Sequence, residues 1–436
     1  MKKLVTVLTL LMSMLVGITA SGQNSRQEFT DSLIKDQNII MFGSKQSASA
    51  DSIRSIVESF YYDQFRHFQD PAAPYFMFMS RDANLAMGIG GMVRMRGYYD
   101  WGGSVNNPAF TPANIPTSDN PLTSRLLGTT PSGTCLFFRV IGRNPKVGTY
   151  QLYIEANFQG YGGRDFHLKK AYAIINDWTI GYAPSTFSDE AAMPPVIDAG
   201  GPAMKMSNTN VLVRYMHQFH NGFVVAGSVE TPSMTVQNDA DGATAARNLF
   251  LPNVAAFVQY QWSKNEHVRL AAIGRSLPYR DMLTATNRNP LGWGLQLSSV
   301  FSPIRPLTIY ATVNGGRSYS NFGGNNLLGN YDLISDPERQ GCLETVPGFG
   351  YVLGVQYNFN PKLFICTSFS QGRNLTSTVK AEGSDYKYGF ASQTNLVWNL
   401  TQRIQAGAEF SIGKRQNFDG THGWSRRIGL MAGFSF

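Results

Sequence analysis

The sequence has few cysteines, few charged residues and no long hydrophobic run beyond its N-terminus. Its three cysteines are an odd number and their spacing matches no metal motif, so neither a disulfide framework nor a metal site is predicted. Only 15% of the residues are charged, and the basic ones are scattered rather than clustered, which argues against a nucleic-acid-binding protein. After the N-terminus no stretch reaches the roughly 18 apolar residues of a membrane-spanning helix.

Catalytic motifs are also missing. The six histidines are scattered along the chain, and neither a G-x-S-x-G nucleophile elbow nor an H-E-x-x-H zinc motif occurs. The sequence therefore predicts neither an enzyme nor a cofactor site.

The N-terminus has the layout of a secretory signal. Lys2 and Lys3 precede the apolar stretch Leu4–Ile18, and Ala20–Gly22 supplies small residues for cleavage. Residues 1–22 are therefore a predicted signal peptide, and the protein is expected to be exported.

Residues 23–74 are a predicted periplasmic segment that contains a helix over Asp51–Phe65. Apolar residues recur there at the spacing of one helix face: Ile53, Ile56, Val57, Phe60 and Tyr61. Ser49 or Asp51 can cap the helix. Its apolar face needs a partner, and the same helix in two sister subunits is one possibility.

From Leu85 to Phe436 the hydrophobic period changes to two. Apolar and polar residues alternate in segments of roughly ten residues, the length of a transmembrane strand. The pattern predicts an all-β transmembrane barrel of about sixteen antiparallel strands within residues 75–436. The predicted strands begin near Leu85, Thr134, Val147, Phe166, Trp178, Thr209, Gly222, Asn253, Glu266, Leu291, Leu307, Gly350, Lys362, Tyr386, Gln402 and Trp424.

The connections between these segments alternate between short and long. Short periplasmic turns and long external loops are typical of bacterial outer-membrane barrels, whereas a soluble β-sandwich has no reason to alternate. The chain also ends on the apolar face of its last strand, at Phe436. We therefore predict the outer membrane of a Gram-negative bacterium as the location, with Phe436 recognised by the barrel assembly machinery.

Alternation also assigns side chains to the inside of the barrel. A charged side chain facing lipid near the midplane costs about 2–4 kcal/mol, so basic residues on strands should face the lumen. The basic residues assigned to the lumen are Arg94, Arg96, Arg139, His167, Lys169, Arg214, Arg269 and Arg275. By the same alternation Lys170, next to the inward Lys169, is expected to face outward. Two interpretations stay open: the arginines favour passage of anions, or they only stabilise the wall through ion pairs and loop contacts.

The third long connection, Pro184–Asn208, has the features of a loop that folds inward and narrows a pore. Asp189, Glu190 and Asp198 can bond to the inward arginines, and paired prolines and glycines fix its bends.

This part of the chain resembles a known family. Trp178–Pro202, WTIGYAPSTFSDEAAMPPVIDAGGP, resembles the GQ-x-x-STF-x-D-x-x-x-x-P-x-x-x-D-x-x-GP segment of the DcaP-like trimeric outer-membrane porins. Leu168–Tyr172, LKKAY, resembles their LRHAY strand. The resemblance implies a sixteen-stranded trimer that passes small anionic solutes and carries an N-terminal helical region. The sequence departs from the family at Tyr182–Pro184, where the family has Gln and usually Trp.

The predicted function is that of an outer-membrane porin for passive diffusion of small hydrophilic, preferentially anionic, solutes. Expected partners are outer-membrane lipid, the anionic solutes and two further copies of the chain. Small outward residues such as Gly91, Ala406 and Ala408 would let barrels approach closely. The alternative is a barrel that serves as a membrane anchor or surface-interaction protein without a wide channel. A transporter with a plug domain is not favoured, because the segment before the barrel is short.

Overall fold

The structure, a computed structural model, describes residues 38–43, 48–61, 68–70, 76–159, 164–237, 242–263, 265–323, 331–376 and 381–436. The predicted signal peptide lies outside these ranges. In chain order the elements are β1 (Asn38–Phe42), α1 (Ala50–Tyr61), β2 (Phe76–Ser80), β3 (Leu85–Trp101), β4 (Arg125–Thr130), β5 (Cys135–Asn144), β6 (Gly148–Gln159), β7 (Asp165–Ile175), β8 (Trp178–Pro184), β9 (Thr209–Gln218), β10 (Phe223–Glu230), β11 (Thr244–Ala246), β12 (Asn253–Ser263), β13 (Glu266–Ser276), β14 (Tyr279–Asp281), β15 (Thr286–Arg288), β16 (Leu291–Ile304), β17 (Leu307–Arg317), β18 (Leu333–Ser335), β19 (Leu343–Thr345), β20 (Pro347–Asn360), β21 (Leu363–Asn374), β22 (Tyr386–Asn399), β23 (Ile404–Asn417) and β24 (His422–Ser435).

Sixteen strands form one closed antiparallel wall, which confirms the predicted barrel. They are β3, β5–β10, β12, β13, β16, β17 and β20–β24. Each pairs with the next along the chain, and β24 returns to pair with β3, from Arg426 opposite Trp101 to Ser435 opposite Met92. β3 pairs along its first part with β5 and along its last part, from Arg96 to Trp101, with the short strand β4. No helix within the described ranges is long and apolar enough to cross a membrane.

Side chains along the wall alternate between an apolar outer face and an inner face. In β16, Leu295 and Leu297 are exposed, whereas Gln296 and Ser298 between them are buried. This follows from the pleat of a strand, which sends successive side chains to opposite sides. The outer face meets lipid, and closure of the wall leaves no unpaired strand edge there.

The two ends of the barrel differ in their connections. Short turns gather at one end, called the turn end, and long loops at the other, called the loop end. Between β7 and β8 only Asn176 and Asp177 intervene, and Asn176 has a φ of 50°. That left-handed conformation closes a tight turn, and asparagine tolerates it better than most residues.

The N-terminal segment completes the wall at the turn end. β24 stops opposite Met92, and β2 takes its place beside β3, from Phe76 opposite Ile89 to Met79 opposite Ala86. β1 then pairs in parallel with β2. The N-terminal strands thus satisfy backbone groups that the C-terminal strand does not reach.

The helix α1 packs against this extension. Ser49 caps it, because its Oγ accepts a hydrogen bond from the Ser52 amide at 3.3 Å. Its apolar face is buried with β2 and the start of the wall in a cluster that includes Ile56, Val57, Phe60, Met77, Met79 and Ala86. The apolar face therefore packs against its own chain, and a contact with sister helices stays a prediction. The predicted helix extends to Phe65, but residues 62–67 lie outside the described part.

One predicted side-chain direction is wrong. Parity predicts that Lys170 faces outward, but its side chain is buried inside the barrel. The register of β6 and β7 shifts there: Glu155 lies opposite Lys170, and the next residue, Ala156, lies opposite Leu168. Lys169 is thus the extra residue of a β-bulge, and the bulge turns two consecutive lysines to the same side.

Three loops fold into the interior of the barrel. We call residues 102–124 L1, residues 185–208 L3, and residues 318–323 with 331–346 L6. Apolar side chains of these loops pack on inward residues of β10, β12 and β13 in one buried cluster that includes Phe110, Phe187, Met204, Phe322, Val224, Phe257 and Ile273. L3 therefore lies inside the barrel as part of its core.

Candidate functional site

L3 is held to one side of the wall by backbone hydrogen bonds. The Glu409 carboxylate on β23 accepts bonds from the amides of Ile197 at 2.6 Å and Asp198 at 3.1 Å. The Asn395 side-chain amide on β22 donates to the Pro195 carbonyl at 2.8 Å. An inward carboxylate thus satisfies the amides of an irregular loop that has no strand partner.

The other half of L3 is anchored to β13 and β16. The carboxylate of Asp189 lies 2.8 Å from the His267 ring nitrogen, 2.5 Å from the Ser298 hydroxyl and 3.6 Å from the Arg269 guanidinium. Burial alone would raise the pKa of Asp189, but Arg269 and His267 outweigh it and hold that pKa below its usual range. With its two halves fixed to different parts of the wall, L3 spans the lumen.

Asp198 joins L3 to the last strand and to L1. The Arg427 guanidinium on β24 donates to both carboxylate oxygens of Asp100, at 2.6 and 2.9 Å, and to Asp198 at 3.2 Å. Asp198 also accepts the Phe110 amide of L1 at 3.0 Å, and Arg427 lies over the Tyr98 ring at 4.1 Å. Arg427 is not among the predicted site residues, although alternation places it on the inner face.

Glu190, the third predicted acidic residue of L3, accepts a hydrogen bond from Ser207 of the same loop at 2.8 Å. This bond joins the two ends of L3 to each other. Glu190 and Ser207 together hold the base of the loop where it leaves β8 and enters β9.

The six predicted arginines all lie inside the barrel and are at most 6% exposed. They are Arg94, Arg96, Arg139, Arg214, Arg269 and Arg275. Each donates a hydrogen bond to a backbone carbonyl of the N-terminal segment, of an infolded loop or of the end of β8. The pairs are Arg94 with Gln69, Arg96 with Ile197, Arg139 with Phe60, Arg214 with Pro184, Arg269 with Ser188, and Arg275 with Ser318. Guanidinium groups suit this role because they offer five donors in a fixed plane. These arginines thus hold backbone of the N-terminal segment, of the end of β8 and of the infolded loops, and their predicted role in selectivity stays a prediction.

Three residues ahead of the barrel lie across its interior. The Phe68 ring packs edge-on against Phe364 of β21 at 5.8 Å, and the Gln69 side chain donates to the Asp198 carbonyl of L3 at 2.6 Å. Asp70 binds Lys169 and Lys170 of β7. We call Phe68, Gln69 and Asp70 the lumen strap. Sequence reasoning misses it, because three residues without periodicity carry no pattern.

The remaining predicted residues are more accessible. His167 is exposed near the loop end of β7, and the Lys169 side chain is 22% exposed. Lys205 of L3 is partly exposed as well. It lines small cavities between L3, the lumen strap and inward wall residues such as Gln296 and Thr312. Parts of the Lys169 and Lys205 side chains therefore remain accessible in this part of the interior.

The sequence matches no protein-family model, and a search of curated proteins finds no relative. Solved structures do match the barrel. The outer membrane channel DcaP of Acinetobacter baumannii aligns with a TM-score of 0.70 at 19% identity, over 81% of this chain and 98% of that one. The chain has the fold of the DcaP channel. The predicted resemblance to DcaP-like porins is thus confirmed in the fold.

Two other porins are less similar to this chain than DcaP is. The anion-selective porin from Comamonas acidovorans aligns with a TM-score of 0.50 at 11% identity, over 81% of this chain and 100% of that one. Salmonella typhi OmpF, solved in complex with daunomycin, aligns with a TM-score of 0.52 at 10% identity, over 81% and 98%. At such identities these likenesses, like that to DcaP, concern the fold.

Proposed function

We propose that the protein is an outer-membrane porin through which small hydrophilic solutes, preferentially anions, diffuse passively. The observation that carries the proposal is a closed sixteen-stranded wall with L3 fixed across its lumen. Such a loop narrows a water-filled barrel and sets what passes. The fold shared with DcaP supports a channel. The turn end and the N-terminal segment would then face the periplasm, where barrels of this kind have their short turns.

The preference for anions follows from accessible charge rather than from the total number of charges. The interior acids Asp70, Glu155, Asp189, Asp198 and Glu409 are all buried in contacts. Lys205 nearby keeps part of its side chain exposed, whereas the partly exposed Lys169 is paired with Asp70 and Glu155. A permeating ion interacts most with charges that share its water, because buried pairs neutralise each other at short range.

Single-channel recording in a salt gradient tests both statements. We expect the purified protein to conduct, with a reversal potential on the side of anion preference. Lys205→Gln should lower the anion-to-cation permeability ratio by roughly half, because it removes one accessible lumen charge. Lys146→Gln is the matched control, since Lys146 is exposed on the turn between β5 and β6 and outside the lumen. Cation preference of the unmodified protein would contradict the proposed selectivity.

The alternative function, a membrane anchor or surface-interaction barrel, makes a different prediction for the same recording. An anchor needs no open lumen, so it would give no conductance above that of the lipid. That result would overturn the porin proposal, whereas steady channel steps would exclude the alternative.

We further propose a homotrimer. Ala406 and Ala408 of β23 and Ala432 of β24 form a strip of small outward residues, in which Ala406 lies opposite Ala432. Gly91 does not extend this strip, because the Phe436 ring lies against it.

We expect a trimer mass in mild detergent, and Ala408→Trp should shift the mass to that of a monomer by blocking close approach of the barrels. Ile180→Trp is the control on a distant outward position, and a monomeric wild-type protein would contradict the proposal.

A further inference from the structure

Four basic residues face outward at the loop end of neighbouring wall strands. We call them the loop-end cations: Arg373 of β21, Lys414 of β23, Arg426 of β24 and Arg125 of β4. All four side chains are exposed or partly exposed, whereas Ser425 and Arg427 on either side of Arg426 are buried inside the barrel. From the spacing of paired strands and of residues along them, neighbouring members of the row are roughly 8–12 Å apart.

Aromatic side chains accompany the loop-end cations on the outer face. The Lys414 ammonium lies 5.7 Å from the ring centres of both Tyr388 and Trp424, and it donates a hydrogen bond to the Tyr388 hydroxyl at 3.3 Å. Trp101 of β3 lies directly opposite Arg426. Outward aromatic residues form girdles at the two membrane surfaces of outer-membrane barrels. The loop-end cations therefore lie at the level of the lipid head groups, where an outward cation costs little.

None of the loop-end cations pairs with a carboxylate in the described part of the chain. The inward Arg427, by contrast, binds the carboxylates of Asp100 and Asp198. On the described wall strands no carboxylate faces outward in the half near the loop end. The wall of a second barrel would therefore bring no acidic side chain to the cations, which leaves an anion from the membrane to do so.

We propose that the loop-end cations bind the phosphate groups of a lipid in the outer leaflet of the outer membrane. The inference goes beyond the passage of solutes and rests on the proposed orientation, in which the loop end faces outward. Clusters of basic residues beside a membrane attract anionic head groups. Guanidinium groups bind phosphate through two parallel hydrogen bonds, and the Lys414 ammonium adds a point charge. Trp101 and Trp424 cover the apolar part of the lipid next to its head group.

The first test measures lipid binding to the full mature protein in mild detergent by native mass spectrometry. Diphosphorylated lipid A is the probe, and the same lipid without its phosphates is the comparison. The wild type should bind lipid A more tightly than the dephosphorylated form. The variant Arg125→Gln/Arg373→Gln/Lys414→Gln/Arg426→Gln should bind lipid A at least about tenfold more weakly than the wild type, because it removes every cation of the row.

The matched control removes the same charge from the turn end. The control variant is Arg81→Gln/Lys146→Gln/Arg305→Gln/Lys362→Gln, at four exposed residues of the turns. It should bind lipid A as the wild type does, because these residues lie at the opposite end of the barrel. If the fourfold loop-end variant folds poorly, Lys414→Gln/Arg426→Gln takes its place and should weaken binding about threefold, with Lys146→Gln/Lys362→Gln as its control.

Equal weakening by the loop-end and turn-end variants would overturn the lipid site, as would equal affinity of the wild type for lipid A and its dephosphorylated form. Displacement of lipid A by an equal concentration of inorganic phosphate would overturn it in favour of a free-phosphate site. If the loop-end variant keeps its lipid and loses the trimer mass, the face belongs to a second copy of the chain. Absence of conductance from the wild type would instead count against the porin proposal, because lipid binding does not require an open channel.

Discussion

Deletion of Asp189–Pro202 should raise the single-channel conductance severalfold. This segment holds the contacts of L3 with β13 and β16, with β22 and β23, and with Arg427. Without it nothing of L3 spans the lumen, and the Gln69 side chain loses its acceptors at Val196 and Asp198. The pore should therefore widen, and its selectivity should weaken because ions pass farther from the wall.

The barrel should survive this deletion. Glu409 and Arg269 would lose their contacts with the deleted segment, but Glu409 keeps its hydrogen bond with Asn395 and Arg269 keeps those with Gln259 and Ser188. Water in the widened lumen would replace the lost contacts, so neither group would become an unpaired buried charge. Removal of Met282–Ala285, an exposed connection between the short strands β14 and β15, is the control and should leave conductance unchanged. If the protein without Asp189–Pro202 has the same conductance as the wild type, L3 does not limit the conductance of the pore.

Arg427→Met should be the most destabilising single substitution proposed. It leaves the carboxylates of Asp100 and Asp198 buried without their cation, and removal of one partner from a buried charge pair costs about 3–5 kcal/mol. The urea midpoint for unfolding of the barrel in detergent should fall clearly. Arg426→Met is a close control, because Arg426 is the adjacent residue, lies on the opposite face and is partly exposed. Equal midpoints for the two variants would contradict the network.

The wall strands could be predicted from the sequence because each strand shows its own alternation of apolar and polar residues. A strand that separates lipid from an interior must alternate, so alternation alone assigns Ile428, Leu430 and Phe434 to one face. The predicted starts of the sixteen strands lie within a few residues of the observed ones. Small strands were missed, among them β1 and β2, because they are too short to show a period.

The alternation rule gives a wrong side-chain direction where a β-bulge shifts the register between β6 and β7. Nothing in the sequence around Lys169 marks a bulge, so the direction of Lys170 could not be derived from alternation. The bulge depends on which residues of β6 lie opposite, and that is set by pairing along the whole strand. The lumen strap was missed for a related reason: its contacts join residues about a hundred positions apart, such as Asp70 and Lys170.

The surroundings of the inward arginines could not be predicted from the sequence either. Alternation predicts their direction, but not whether water or loop backbone surrounds them. That depends on how L3 and L6 fold into the barrel, which no local pattern describes. Of the three acidic residues of L3, Asp189 and Asp198 contact wall arginines as expected, and Glu190 contacts its own loop.

The pairing of β24 with β3 has a consequence for how the chain folds. It joins residues that are 327 positions apart, as in the contact of Arg427 with Asp100. The entropy lost on closing so long a loop must be overcome before the seam forms, so we expect closure to be slow in this high-contact-order topology. Until the C-terminus arrives, β3 presents an open edge that could pair with other chains. The cell must therefore keep the exported chain apart from its neighbours between synthesis of its first strand and delivery of its last.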